Sequence, residues 1–157
     1  MLDRLFNNVE CIAPTIDERA ISAESPQASS RKRGALKANS VAQTLTKSDR
    51  PSLIIGSDQV AVFEGEILGK PADLSAARAQ LARFSGRRVR FVTGLALIDT
   101  QSARHWVCHE DHEVVFRSLT STEIERYVER ERPLDSAGSF RMEGLGITLF
   151  ERLEGHH

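Results

Sequence analysis

The stretch S-L-I-I-G-S-D-Q-V, Ser52 to Val60, constrains this chain most, because an unbroken apolar run ends on a lone carboxylate, Asp58. Ser52 to Ser57 has the composition of a strand buried on both faces, since alternation is what a half-solvated strand needs. An acid at the end of such a strand is either a solvated turn residue or a handler of metal and protons, and α/β folds use both. The neighbouring segments decide between them.

Helix and strand patterns alternate on both sides of that run. Residues 19–34, rich in Ser and Arg with one Pro, read as an exposed, mobile connection leading into a helix. From about Gln27 to Lys47 the residues Ala35, Leu36, Ala38, Val41, Ala42 and Leu45 recur at helical spacing and predict one apolar stripe. V-A-V-F-E-G-E-I-L-G-K-P predicts a hairpin turning near Glu64-Gly65 and stopping at Pro71. Asp73 is placed to cap a helix to about Phe84, with Leu74, Ala77, Leu81 and Phe84 inward and Ser85-Gly86 closing it. Val89–Ile98 and Trp106–Phe116 are strand-like, joined by the polar turn D-T-Q-S-A-R. Thr120 to Glu123 has the capping-box form, opening a helix to about Glu131 that Pro133 stops. The fold class this predicts is α/β, a mixed β-sheet with flanking helices.

Charge narrows the partners. Lys and Arg number 21 against 22 Asp and Glu, a net charge of -1, so no overall field draws a nucleic acid polymer or an anionic lipid surface. An anionic ligand must therefore be held by a few placed cations. No segment approaches the roughly 18–20 apolar residues of a membrane span, and the expected location is the cytoplasm. Cys11 and Cys108 form no C-x-x-C pair and are expected as reduced, packed thiols. The stretch H-W-V-C-H-E-D-H, His105 to His112, invites a metal site, yet on a strand His105 and His109 share one face while Trp106 and Cys108 share the other. Its ligands do not converge. The terminal His156-His157 carries no functional weight.

Three further groups are chemically suggestive. Lys70 lies between Gly69 and Pro71 on a stiff loop, where it is either a surface lysine beside a turn or a rigidly held phosphate clamp. Lys37, on the first helix, has the same two readings. Gly138, Gly144 and Gly146 surround Glu143 and let the backbone approach a ligand, although no P-loop or G-x-G-x-x-G pattern is present.

Taken together, S-D-Q-V, L-G-K-P, Q-L-x-x-F-S-G ending at Gly86, F-V-T-G-L-A-L from Phe91 and A-G-S-F-x-x-E-G-L-G-I from Ala137 closely resemble the Maf family of nucleoside triphosphate pyrophosphatases. The agreement runs in order from about Val9 to Gly155. It implies a single domain over residues 1–157, related to the inosine triphosphatase fold, with a cleft between two lobes. The Gln after the Asp, A-G-S-F and E-G-L-G resemble the branch that acts on 7-methyl-GTP rather than on dTTP and UTP. The resemblance makes Gln59 and Glu143 base-recognition residues. A carboxylate at Glu143 accepts from the guanine N1 and N2 donors and suits the cationic methylated ring.

The resemblance further implies hydrolysis of a nucleoside triphosphate between its α and β phosphates with a divalent cation, Mg²⁺ or Mn²⁺. Asp58 would orient or deprotonate water and bind the metal, Glu18 in I-D-E would be a second metal ligand, and Lys37 and Lys70 would neutralise the triphosphate. It also suggests a homodimer. Family members carry an S-x-S-P-R-R strand and loop near their start and a V-G-L-P-L segment near their end, and neither is found in this sequence. The expectation is a domain shortened at both ends, less stable and less active than a complete relative. A nucleotide-binding or regulatory protein with weak or no turnover is the alternative reading.

Overall fold

The apolar run becomes the first half of strand β1 (Leu53–Phe63) in a computed structural model that describes residues 8–17, 25–45 and 51–155. In that half Ile54, Gly56, Asp58 and Val60 are buried on one face, while Leu53, Ile55, Ser57 and Gln59 are exposed on the other. The expectation of a strand buried on both faces is corrected here, since Leu53 is 69% and Ile55 51% exposed. Among the described residues one helix covers this end, on one side.

Most local signals act where their chemistry places them. Glu64 and Gly65 both take positive φ, 51° and 84°, the paired left-handed residues of a tight hairpin turn into β2 (Glu66–Leu68). Asp73 caps α2 (Leu74–Phe84), accepting from the Ala76 amide at 2.7 Å. The strands β3 (Arg88–Asp99) and β4 (Arg104–Phe116) follow. A complete capping box at Thr120 and Glu123 then opens α3 (Ser121–Glu131). Two short 3-10 turns, Ala137–Ser139 and Leu145–Leu149, lead to β5 (Phe150–Gly155).

The strand order is β2-β1-β3-β4-β5, and every pairing is antiparallel. The α/β class holds, but among the described strands the expected mixed sheet has no parallel member. The reason is connectivity: β2 and α2 return the chain so that β3 enters beside β1 from the opposite direction, and the turn after Asp99 closes a hairpin onto β4. Cys11 and Cys108 are free and exposed, which corrects the packed thiols expected; Cys108 lies in the half of β4 left uncovered. Among the described residues no helix is long and apolar enough to cross a membrane.

Among the described residues a small cluster joins Val60, Val62 and Val92, and the two largest cores form on opposite faces at opposite ends of the long strands. The larger joins Ala61, Phe63, Phe91, Val114 and Phe116 from the sheet to Leu81 and Phe84 of α2, Tyr127 and Val128 of α3, and Phe140. The smaller packs Ala38 of α1 (Pro26–Leu45) on Ile54, Ala96 and Ile98. The helix begins inside the segment expected as a connection, and Ser29 and Ser30 are buried in it at 5% and 0% exposure. Burial is tolerated because the Ser30 hydroxyl donates to the Gln27 carbonyl at 3.2 Å, satisfying itself within the helix.

Glycine sets how close α1 comes. A Cβ built on Gly94 would lie 2.2 Å from the Ser30 carbonyl, and one on Gly56 2.3 Å from the Gly34 carbonyl oxygen. Helix backbone rests on sheet backbone there. Gly94→Ala is expected to destabilise the protein by about 1–3 kcal/mol, toward the upper end because backbone must move. Gly69→Ala, whose Cβ would meet nothing within 4 Å, changes stability by less than about 0.5 kcal/mol. Urea unfolding of both variants checks this, and equal midpoints would sink it.

The capping box gives a pH-dependent expectation. The Thr120 amide and hydroxyl and the Arg117 guanidinium hold the Glu123 carboxyl far below its ordinary 4.5, at about 2. A depressed carboxyl pKa contributes stability that is full above 4.5 and lost as pH falls through about 2. Glu123→Gln is therefore less stable than the parent at neutral pH, and the gap closes through that window; a pH-independent gap would contradict the assignment.

Candidate active site

Asp58 reaches its position through strand periodicity and its surroundings through α1. It shares a face with Gly56 and Val60 and pairs across the ladder with Gly94, the residue on which the helix rests. Arg33 and Lys37 are four residues apart on α1, so they project from one side a single turn apart. The close approach of the backbones brings both cations to the acid. The Lys37 ammonium donates to Asp58 Oδ1 at 2.6 Å, and Arg33 Nη1 lies 4.0 Å from Oδ2.

Burial gives that cluster its character. The Asp58 side chain is 9% exposed, against 27% for Arg33 and 21% for Lys37. Among the described residues Asp58 Oδ2 and Arg33 Nε are both buried without a hydrogen-bond partner. A buried carboxylate oxygen left open in native protein calls for a ligand or a water. Among the described residues Arg33 and Lys37 both stand beside this carboxylate, and cations so placed suit an anionic ligand.

Arg33 was not among the residues singled out from sequence. Its signal was available in R-G-A-L-K, where Arg33 stands one helical turn before Lys37. Gln59 lies on the opposite face from Asp58, as neighbours on a strand must, and its amide donates to Thr93 Oγ1 at 2.9 Å. Lys70 is exposed on the loop after β2, with Pro71 buried behind it. Glu143 is exposed on the segment between the two 3-10 turns.

That segment is firmly held. Arg141 grips Asp135 through Nη2 at 2.5 and 2.6 Å, and the Arg141 amide donates to the Tyr127 hydroxyl at 3.0 Å. Burial raises the Tyr127 pKa to about 12, so this hydroxyl stays neutral. The Gly146 amide closes the turn onto the Arg141 carbonyl at 2.9 Å, and Glu131 accepts from the Leu145 amide at 3.1 Å. Glu143 is thus presented on an anchored turn, apart from the Lys37–Asp58 pair. Glu18 lies outside the described residues.

A divalent cation fits part of this arrangement. Among the described residues no group of three or more His, Cys, Asp or Glu side chains is placed to hold a metal. Asp58 Oδ2 is nevertheless a buried, open carboxylate oxygen, and Mg²⁺ is commonly held by one or two carboxylates together with substrate phosphates. That donor set suits a metal that arrives with its nucleotide.

Fold and cluster together define a class: an α/β protein in which a helix delivers paired cations onto a strand-borne acid, an arrangement suited to a phosphorylated ligand. The chain belongs to the Maf family, matching its description, Maf-like protein, over residues 1–157. It is 59% identical over 156 residues to a 7-methyl-GTP pyrophosphatase of Chromohalobacter salexigens, covering 99% of this chain and 78% of the relative. A protein of the same name from Idiomarina loihiensis is 50% identical over 156 residues, with the same coverage of 99% and 78%.

Lys37→Met tests the cluster as a structural unit. It leaves the buried Asp58 carboxylate with Arg33 at 4.0 Å as its remaining described ion pair. Stability should fall by about 2 kcal/mol, below the roughly 3–5 of a fully buried pair because Lys37 keeps some contact with water. Adding Asp58→Asn should recover part of the loss. A single variant as stable as the parent in urea would show that the pair is not coupled.

Proposed function

We propose that this chain is a nucleoside triphosphate pyrophosphatase that hydrolyses 7-methyl-GTP between its α and β phosphates. The observation carrying the reading is the buried Asp58 carboxylate, open at Oδ2 and set against Lys37 and Arg33, in a chain 59% identical to a relative that bears that activity in its name. A water donating to Oδ2 is oriented toward the α phosphorus. Its oxygen forms the new P–O bond, the α–β anhydride bond breaks, pyrophosphate leaves with the electron pair, and the proton passes to Asp58.

Lys37 holds Oδ1, so the open oxygen is the one that faces the reaction. Lys37 and Lys70 neutralise charge on the triphosphate, and Glu143, with Gln59, recognises the base. Asp58 and Glu18 would hold Mg²⁺, which supplies charge neutralisation at the phosphate oxygens. The setting is the cytoplasm. The active form is a homodimer, and the exposed side chains Leu53, Ile55, Leu95 and Trp106 supply the kind of apolar surface such a contact uses.

The test is pyrophosphate release with Mg²⁺ across 7-methyl-GTP, GTP, UTP, dTTP and CTP, for the parent chain and Asp58→Asn. The expected result is fastest release from 7-methyl-GTP, reduced about 10²–10⁴-fold in the variant. Unchanged turnover in Asp58→Asn removes its catalytic role, and no release from any nucleotide removes the enzyme. Sedimentation equilibrium of the same preparation, with Trp106→Lys as the comparison, decides whether the chain pairs through that face.

A further inference from the structure

Ser139 is fully buried, at 0% exposure, yet it sits at φ 55°, directly after Gly138 at φ 70°. The left-handed region is unfavourable for a residue with a Cβ, and a buried hydroxyl is unfavourable without a partner. One contact accounts for both features: the Ser139 hydroxyl donates to Gln80 Oε1 at 2.6 Å. The other end of the same amide, Gln80 Nε2, donates to the Gly69 carbonyl at 3.3 Å. Gln80 on α2 therefore joins the turn that precedes Glu143 to the loop that carries Lys70.

The Gly69 carbonyl is the effective point to hold. Pro71 fixes its own φ and restricts Lys70 before it, so Gly69 keeps most of the torsional freedom left in that loop. A Cβ there would meet nothing within 4 Å, so packing does not restrain it either. A hydrogen bond to its carbonyl removes the remaining freedom.

We propose that Gln80 is a positioning residue, a two-ended clamp held by Ser139 that sets where the Lys70 ammonium stands relative to the turn bearing Glu143. This rests on the reading of Lys70 as a phosphate-binding cation. The clamp fixes the spacing between the phosphate and base ends of the nucleotide, and neither Gln80 nor Ser139 needs to touch the ligand.

The test is a set of binding measurements with inorganic tripolyphosphate and Mg²⁺, a probe that has phosphates and no base. The variants are Lys70→Ala, Gln80→Met, Ser139→Ala and the pairwise combinations, each checked for folding by its thermal midpoint. Gln80→Met should weaken binding about 2- to 10-fold, the size of one neutral hydrogen bond, and Ser139→Ala should do the same. Neither should weaken it further when Lys70 is already Ala, and the two together should cost no more than one. A loss that adds fully to that of Lys70→Ala, or no loss, overturns the clamp while leaving Lys70 as a phosphate ligand. Unchanged binding in Lys70→Ala, or none in the parent, overturns the phosphate reading itself and the clamp with it. Should Gln80→Met not fold, Ser139→Ala decides the matter from the far end, because it leaves α2 untouched.

Discussion

The contact of α1 backbone with sheet backbone at Gly34, Gly56 and Gly94 is the constraint on which the candidate site depends. Side chains at these positions would hold the helix away from the strands, beyond the 2.6 Å hydrogen bond that Lys37 makes with Asp58. Helix–sheet packing usually interposes a layer of side chains, and its absence here replaces hydrophobic burial with proximity. The small core of Ala38, Ile54, Ala96 and Ile98 lies under the same helix, with Val41 and Leu45 packed against it where α1 runs on past the glycine contacts.

That proximity has an electrostatic consequence. A carboxylate withdrawn from water is tolerable only when paired, and α1 supplies the pairing from two residues on one turn. Replacing the pair by apolar groups would be compatible with the fold, so stability alone does not explain a buried acid with one oxygen left open. An open oxygen beside two placed cations, Arg33 and Lys37, is what a site for a phosphorylated ligand requires.

Much of the fold was legible because its signals are local. The Glu64-Gly65 turn, the Asp73 cap and the Thr120–Glu123 capping box each depend on residues within three or four positions, and each forms as read. What was misread depends on distant residues. Ser29 and Ser30 look like an exposed connection until Gly94, more than sixty positions away in sequence, offers a surface they can lie against. Leu53 and Ile55 read as core until one sees that α1, among the described residues, covers the other face at that end. At the site, Gln59 stands apart from Asp58 because neighbours on a strand face opposite ways, a separation that shows only once β1 is seen to be covered by α1 on one face. Which side of α1 meets Asp58, and hence the part played by Arg33, needed the packing of the helix.

The two cores divide the candidate machinery between them. Lys37 and Asp58 belong to the α1 side of the sheet, whereas the anchored turn of Glu143 packs with α2 and α3 on the other. β1 joins the halves: Ile54 and Asp58 are buried under α1, and Ala61 and Phe63 are buried in the larger core. The acid is therefore fixed to its cations by direct contact, but its distance from Lys70 and Glu143 is set through several residues of strand and the hairpin beyond. A strand flanked by paired neighbours is stiff enough for that task, while the exposed loop at its far end is not. The side chain best placed to supply the missing stiffness is one that reaches from a capped helix to both the loop and the turn, which is where Gln80 stands.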